Sequence, residues 1–362
     1  MQQRIHVLLT GAGSPASPGV IQSLKRVPSF DIQVTGIDIN PDAAGASMVD
    51  KFYPGPRAND PLFLPFVKLL CQKEAIDVVL PLVSAELESL AKEKPDFKRL
   101  GTEVSVSDAD RLTLALHKGI MLQTLGTAGI PIPQYDVVQT ADELEKAIAT
   151  LGYPQKAVCF KPTIGDGSRG FHILDDKKDR FQLLFHEKPS SAYISLQEVK
   201  QILSTASAIP ELIVMEYLPN EEYSVDILAK EGEVIIAIPR LRKKMIGGIT
   251  VEGEIVNEQD VVEYCTKIVQ ELKLHGNIGI QVRRDASGLP KIIEINPRIQ
   301  GTIVHCTAAG VNLPFLAVKL ATHLPIEEWE LSVQWGTKMI RYWEELFHSS
   351  DGIPFRLFSS RR

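Results

Sequence analysis

The sequence predicts an α/β protein with a Rossmann-like N-terminal half of parallel βαβ units followed by a strand-rich α+β region. Three observations predict it. Short apolar runs alternate with helical patterns over residues 1–110, the signature of parallel strands joined by helices. Strand-like runs then crowd together after Lys156. Two further apolar runs flank Asp285-Ala286-Ser287-Gly288, whose residue types favour a hairpin turn.

In order, residues 5–10 read as a buried first strand, Gly11-Ala12-Gly13-Ser14-Pro15 as a tight turn, and Val20, Ile21, Leu24 and Val27 as one helix face. Residues 33–38 form a second strand and 77–80 a later one. From Asp110, Leu112, Leu114, Leu116, Ile120, Leu122 and Leu125 predict one helix ending around 126–129. Ile130-Pro131-Ile132-Pro133 breaks it, because a residue before proline is pushed to extended backbone. Thr140 followed three positions later by Glu143 marks another helix start. Strands follow at 157–162, 170–174, 212–217, 223–229 and 233–238, with 180–208 mainly helical; 278–284 and 291–295 make the hairpin. Residues 326–362 carry Trp329, Trp335 and Trp343 but no legible motif, and the chain has no internal repeat or low-complexity segment.

At 362 residues and 44% hydrophobic content the chain is long enough for a substantial core and two or three domains. Its 39 Lys and Arg against 45 Asp and Glu give a net charge of −6, with no general field for a phosphate backbone, so nucleic acid is not an expected partner. No apolar run approaches the roughly 20 residues that span a bilayer. The segment from Met1 passes into a strand without a secretory leader, so no membrane partner and a cytoplasmic location are expected. Cys71, Cys159, Cys265 and Cys306 are scattered through apolar contexts and read as reduced, structural thiols.

Three segments carry the chemistry. Phe160-Lys161-Pro162-Thr163-Ile164-Gly165-Asp166-Gly167-Ser168-Arg169-Gly170 delivers a lysine into a glycine-rich loop. Glycines let backbone N–H groups approach phosphate, and Lys161 adds a point charge. In Ile292-Ile293-Glu294-Ile295-Asn296-Pro297-Arg298, Glu294 and Asn296 share a strand face, and the hairpin sets Gln281 roughly opposite. Three converging oxygen ligands suit Mg²⁺, and Arg298 points the same way. In Met215-Glu216-Tyr217-Leu218-Pro219-Asn220-Glu221-Glu222, a strand-ending backbone could meet an adenine edge and a carboxylate the ribose hydroxyls. Each segment alone also reads as a solvated turn or a half-buried strand.

Taken together, in this order and spacing, they resemble the ATP-grasp superfamily, especially the synthetase units of carbamoyl phosphate synthase and biotin carboxylase. The resemblance covers residues 1 to about 325 and implies a pre-ATP-grasp domain over 1–110. It implies an ATP-grasp domain over 111–325, with a lid lobe at about 135–218, a C-terminal lobe at about 219–325, and residues 326–362 unassigned. It implies Lys118 and Lys161 as phosphate-binding residues, Gly165, Gly167, Ser168 and Gly170 as the lid loop, and Glu216, Tyr217 and Leu218 as the adenine-facing linker. Glu222 matches the ribose carboxylate, Gln281, Glu294 and Asn296 the metal ligands, and Arg298 the reaction-centre arginine, with Lys161 also serving catalysis. Gln281 is a variant where many relatives carry Glu, which lowers the negative charge of the site. The cofactors implied are ATP and Mg²⁺, with Mn²⁺ as an alternative, and the reaction is an ADP-forming carboxylate–amine ligation through an acyl phosphate. Small-molecule carboxylate and amine substrates follow, and relatives are often homodimers. Arg240 and Arg242, two apart near a strand end, are the expected carboxylate clamp.

Two other readings stand beside this one. Gly11-Ala12-Gly13 with Asp38 makes an incomplete dinucleotide fingerprint, which would want glycine where Ala16 stands, but it admits a nicotinamide-dependent oxidoreductase. A nucleotide-binding regulatory protein without turnover is the second.

Overall fold

The computed structural model describes residues 2–165, 169–186, 192–206, 208–355 and 357. Five parallel strands open the chain: β1 (Gln3–Thr10), β2 (Phe30–Asp38), β3 (Lys51–Pro54), β4 (Val78–Leu80) and β5 (Glu103–Val104), ordered β3-β2-β1-β4-β5. Val7, Leu8 and Leu9 are fully buried, as expected of a parallel strand covered on both faces.

An antiparallel sheet of order β6-β9-β7-β8 follows, made of β6 (Tyr135–Val138), β7 (Val158–Pro162), β8 (His172–Leu174) and β9 (Leu212–Glu216). Helices Ala141–Thr150 and Leu196–Ser204 cover one face, with Leu144, Ile148 and Val199 packed on Val138, Val158 and Phe160. The first helix starts in a capping box between Thr140 and Glu143.

The third sheet is antiparallel throughout: β10 (Glu222–Lys230), β11 (Glu233–Ile246), β12 (Ile249–Ile255), β13 (Gly276–Arg284), β14 (Pro290–Asn296) and β15 (Lys338–Ile340), ordered β14-β13-β10-β11-β12-β15. The period of two divides β10 cleanly. Tyr223, Val225 and Ile227 enter a core with helix Gln259–Leu272, while Glu222, Ser224 and Asp226 face the other way. Further along that second face, Leu228 joins a different core. There it meets Ile5, Val7 and Leu9 of the first sheet and Leu313 and Phe315 of helix Leu313–Ala321. The first and third sheets thus share one hydrophobic core.

Three expectations need correction. The single helix from Asp110 is two, Ala109–Leu116 and Lys118–Thr127, because His117 is extended (ψ 105°) and its Nδ1 accepts from Ile120 N–H as the cap of the second. The stretch 180–208 contains helices only at Arg180–Phe185 and Leu196–Ser204, with Tyr193 bridging to Ile173 between them. The run expected at 233–238 continues to Ile246, so Arg240 and Arg242 lie within a strand that turns at Gly247-Gly248 into β12. Past residue 325 the chain remains attached: Glu330 forms a buried ion pair with Lys319, and β15 extends the third sheet. No helix among the described residues is long and apolar enough to cross a membrane.

Candidate nucleotide and phosphoryl-transfer site

The polar face of the third sheet builds the site in rows. Glu294 on β14 pairs with Gln281 on β13, Gln281 with Ser224 on β10, and Ser224 with Arg240 on β11. One row along, Arg283 pairs with Glu222, beside Arg242. One row the other way, Asn296 pairs with Gly279 and Gly279 with Asp226. Cross-strand neighbours on one face approach closely enough to touch, so these side chains form a continuous polar surface.

Above it, between the second and third sheets, lies a cavity of about 350 Å³. Lys161, Glu216, Tyr217, Leu218, Glu222, Arg242, Gln281 and Glu294 all line it. Lys161 is only 9% exposed, and its Nζ donates to the Ile293 carbonyl at 3.1 Å, tying β7 to β14. Glu216 caps the strand end: its carboxylate accepts from Gln134 N–H at 2.9 Å, while its own N–H donates to the Gln134 carbonyl at 3.0 Å. Arg283 was not singled out by sequence reasoning, yet its guanidinium stacks 4.9 Å over the Tyr217 ring at the cavity wall. Its position two residues after Gln281 on one strand was the available signal.

A smaller, more polar cavity of about 160 Å³ adjoins, lined by Glu294, Asn296, Arg298, Arg242 and Thr302. Arg298 donates from Nε to Ser84 Oγ at 3.0 Å, from Nη1 to the Ile299 carbonyl at 2.9 Å, and from Nη2 to Asn296 Oδ1 at 3.3 Å. Ser84, from the first sheet's unit, was another residue the sequence did not announce. Lys118 sits beside a third cavity of about 230 Å³ that also touches Glu294 and Asn296, and its Nζ donates to the Gly165 carbonyl at 2.7 Å. Gly170 has φ +70° and leaves no room for a Cβ, which would lie 2.9 Å from Pro162. Gly167 and Ser168 lie outside the described residues.

The two arginines of the expected clamp part company. Arg242 lines both the 350 Å³ and the 160 Å³ cavities, its Nη1 donating to Glu222 and, at 3.2 Å, to Gln281 Oε1. Burial pulls its pKa below the ordinary arginine value, and the Arg240 charge adds to that against the opposing pull of Glu222. Arg240 does not reach the cleft. It is 1% exposed and its guanidinium is committed to Asp226, Thr302 and Gln300, so it forms the floor beneath the site. Burial works against its charge, but the Asp226 carboxylate outweighs that and raises its pKa.

The donor set fits Mg²⁺. Glu294, Gln281 and Asn296 offer three hard oxygens on one face, and Asn296 Nδ2 donates to Glu294 Oε1 at 3.0 Å, which turns its own oxygen toward the cavity side where Arg298 meets it. Among the described residues no three His, Cys, Asp or Glu side chains form a metal cage. With one carboxylate in the set, a metal here would rely on phosphate oxygens for much of its coordination.

Two family models match the chain: "PylC-like, N-terminal domain" over residues 7–105, and "ATP-grasp in the biosynthetic pathway with Ter operon" over residues 208–344. An ATP-grasp match over residues 208–344 thus follows a PylC-like match over the N-terminal sheet, as the resemblance implies. Solved ATP-grasp structures share its fold. N5-carboxyaminoimidazole synthetase from Staphylococcus aureus, complexed with ADP, is 16% identical with a TM-score of 0.66, over 90% of this chain and 79% of that one. The biotin carboxylase domain dimer of Hydrogenobacter thermophilus 2-oxoglutarate carboxylase, complexed with MgADP, ADP and bicarbonate, is 17% identical with a TM-score of 0.66, over 99% and 84%. L-amino acid ligase from Bacillus licheniformis is 16% identical with a TM-score of 0.62, over 91% and 76%. The site described above lies between the second and third sheets, both of which contribute side chains.

Proposed function

We propose that the chain is an ADP-forming carboxylate–amine ligase. It uses MgATP to phosphorylate a substrate carboxylate, releasing ADP, and an amine then attacks the acyl phosphate to form an amide and release phosphate. The observation that carries this reading is the meeting of Lys161, Glu222, Gln281 and Glu294 around one cavity that also includes the strand-end backbone at Glu216–Leu218. The nucleotide-bound relatives support the same assignment of ATP and Mg²⁺.

On this reading Glu216–Leu218 take the adenine edge, Glu222 the ribose hydroxyls, and Lys161 with Lys118 the phosphates. Gln281, Glu294 and Asn296 would hold Mg²⁺, which when bound neutralises charge as the phosphoryl group moves. Arg298, fixed by Ser84 and Asn296, aims its charge at the substrate carboxylate and the acyl phosphate it becomes. Arg242 supplies the substrate-facing charge expected of the Arg240–Arg242 pair. Catalysis is positioning plus electrostatic stabilisation, the usual division of labour in phosphoryl transfer. The dinucleotide reading loses support because Gly13 N–H, which a pyrophosphate would need, donates to Asp38 Oδ2 at 2.7 Å.

The test is ADP release from MgATP across pooled carboxylates, with hydroxylamine added to trap any acyl phosphate as a hydroxamate. Release and hydroxamate should require one acid and fall at least ~100-fold in Glu294→Ala. ATP binding with no turnover in any pool would instead favour the regulatory protein.

A further inference from the structure

The 160 Å³ cavity adjoining the nucleotide cavity carries information about the acid to be activated. It shares Arg242, Gln281 and Glu294 with the nucleotide cavity, so a group held in it faces the proposed metal and phosphate positions. Arg298 lines this smaller cavity only. With less than half the volume of its neighbour, it suits a short chain rather than a second nucleotide.

Its wall is richer in donors than in acceptors. Thr250 Oγ1 accepts from Arg242 Nε at 2.9 Å and Thr302 Oγ1 accepts from Arg240 Nη1, which turns both hydroxyl hydrogens away from the guanidinium groups. Neither hydroxyl donates to another of the described residues. Gln300 accepts from Arg240 through Oε1 at 3.1 Å, while its Nε2 is shut off from solvent without a hydrogen-bond partner. A buried donor in that state is stabilised by an acceptor brought to it. Glu294 is the one carboxylate lining the cavity, and Asn296 Nδ2 already donates to it.

The charges point the same way. Asp226 offsets Arg240, and Glu222 offsets Arg242. Arg341 donates from Nη2 to the carbonyl of Gly301, a lining residue, at 2.8 Å, and has no ion pair among the described residues. Burial, and then the Arg240 charge, hold its pKa below the ordinary arginine value, as expected of a cation without a countercharge. An ammonium group is disfavoured here, because the lining carboxylate is the proposed metal ligand.

We propose that this cavity selects a short dicarboxylic acid without an ammonium group, one carboxylate at Arg298 and the other at the wall formed by Arg242, Thr250, Thr302 and Gln300. The assignment rests on the ligase reading above and names the class of its acid. An oxygen of the carboxylate at Arg298 attacks the γ-phosphorus of ATP, the bond to the bridging oxygen breaks, and ADP leaves with that electron pair. The second carboxylate is unchanged.

The test follows hydroxamate formation by the full chain from MgATP and hydroxylamine, which displaces phosphate from the acyl phosphate. Malonate, succinate, glutarate and malate are compared with acetate, propionate, butyrate and lactate, and with L-aspartate. At least one of these diacids should exceed every monoacid and L-aspartate in kcat/KM by roughly tenfold or more. Gln300→Glu keeps an oxygen for Arg240 but sets a carboxylate oxygen in place of the Nε2 donor. It should raise KM for the preferred diacid by roughly tenfold or more, through like-charge repulsion, and leave the Kd for MgADP in calorimetry unchanged. Near-UV circular dichroism checks that the variant is folded, and Thr250→Val replaces it if it is not. Preference for a monoacid or for L-aspartate, or an unchanged KM in the folded variant, overturns the proposal. Hydroxamate from monoacids alone removes this assignment and leaves the ligase reading standing. No hydroxamate from these acids or from the carboxylate pools removes the ligase reading, and the acid assignment with it.

Discussion

Removing the Arg240 guanidinium would leave the Asp226 carboxylate buried without a countercharge. Both side chains are 1% exposed, and breaking such a pair from one side costs about 3–5 kcal/mol. Arg240→Met should therefore lower the urea midpoint markedly, while Arg242→Met, which removes a cavity-lining charge, should act mainly on substrate and nucleotide affinity in steady-state kinetics. Equal losses of stability in the two variants would contradict the division. The arginine pair itself was legible in the sequence, but its split was not: what commits Arg240 is Asp226, Thr302 and Gln300, brought from 14 to 62 positions away. Glu86 yields a second residue-scale expectation. Its carboxyl is held at about 7 by burial, against an ordinary 4.5, although Thr10 and the Val83 N–H pull the other way and Arg298 adds its charge. The folded-state value is the raised one, so the associated stability is present below the unfolded value and is lost as pH rises through 7. Denaturation at pH 5 and pH 8 should show Glu86→Gln gaining roughly 2–3 kcal/mol relative to the parent at the higher pH. A pH-independent difference would mean that Glu86 is ionised throughout.

Among the elements, β13 bears the tightest constraint. Gly279 has ordinary extended backbone, so its lack of a side chain matters for space alone. A Cβ there would lie 1.8 Å from Gln300 Nε2, and Gln300 is the residue whose Oε1 accepts from Arg240 at 3.1 Å. Gly279→Ala should cost about 1–3 kcal/mol through overpacking, lower the thermal midpoint, and reduce turnover by displacing the floor under Asn296. An unchanged midpoint would show that Gln300 can swing away freely. The hairpin holding this strand was readable because apolar and polar residues alternate on both arms and Asp285 to Gly288 supply the turn. The structure adds the register, with Gln281 directly paired to Glu294 and Gly279 to Asn296. Other elements left no comparable trace. The break at His117 interrupts an apolar helical pattern that continues across it, and is made by a ring nitrogen capping the next turn. β15 is three residues long with both ends exposed, so its pairing with β12 comes from tertiary position rather than local preference.

For the molecule as a whole, the distribution of cores determines what can move. Ile5, Val7 and Leu9 of the first sheet share one core with Leu228, Ile238 and Ile255 of the third, so these two sheets form a common base. The four-stranded sheet has a core of its own on one face, with Leu144, Ile148 and Val199, while Cys159, Ile173, Ile213 and Met215 on the other face join the third sheet's core and Lys161 ties β7 to β14. Hydrogen exchange should reflect this. MgADP is expected to slow the amides of β7, β9 and residues 217–221, with little effect on β1 and β2. Uniform slowing across all three sheets would indicate that the nucleotide tightens a single body. The chain enters the four-stranded sheet at Gln134 and leaves it at Glu216, and those two residues exchange hydrogen bonds side by side. Glu216 also opens the stretch assigned to the adenine edge. On the proposed assignment the crossing point of the chain and the base pocket would be the same few atoms, so a purine seated there would act as a doorstop at the jamb: the size of the ring, not only the charge of its phosphates, would set how far the upper leaf could swing.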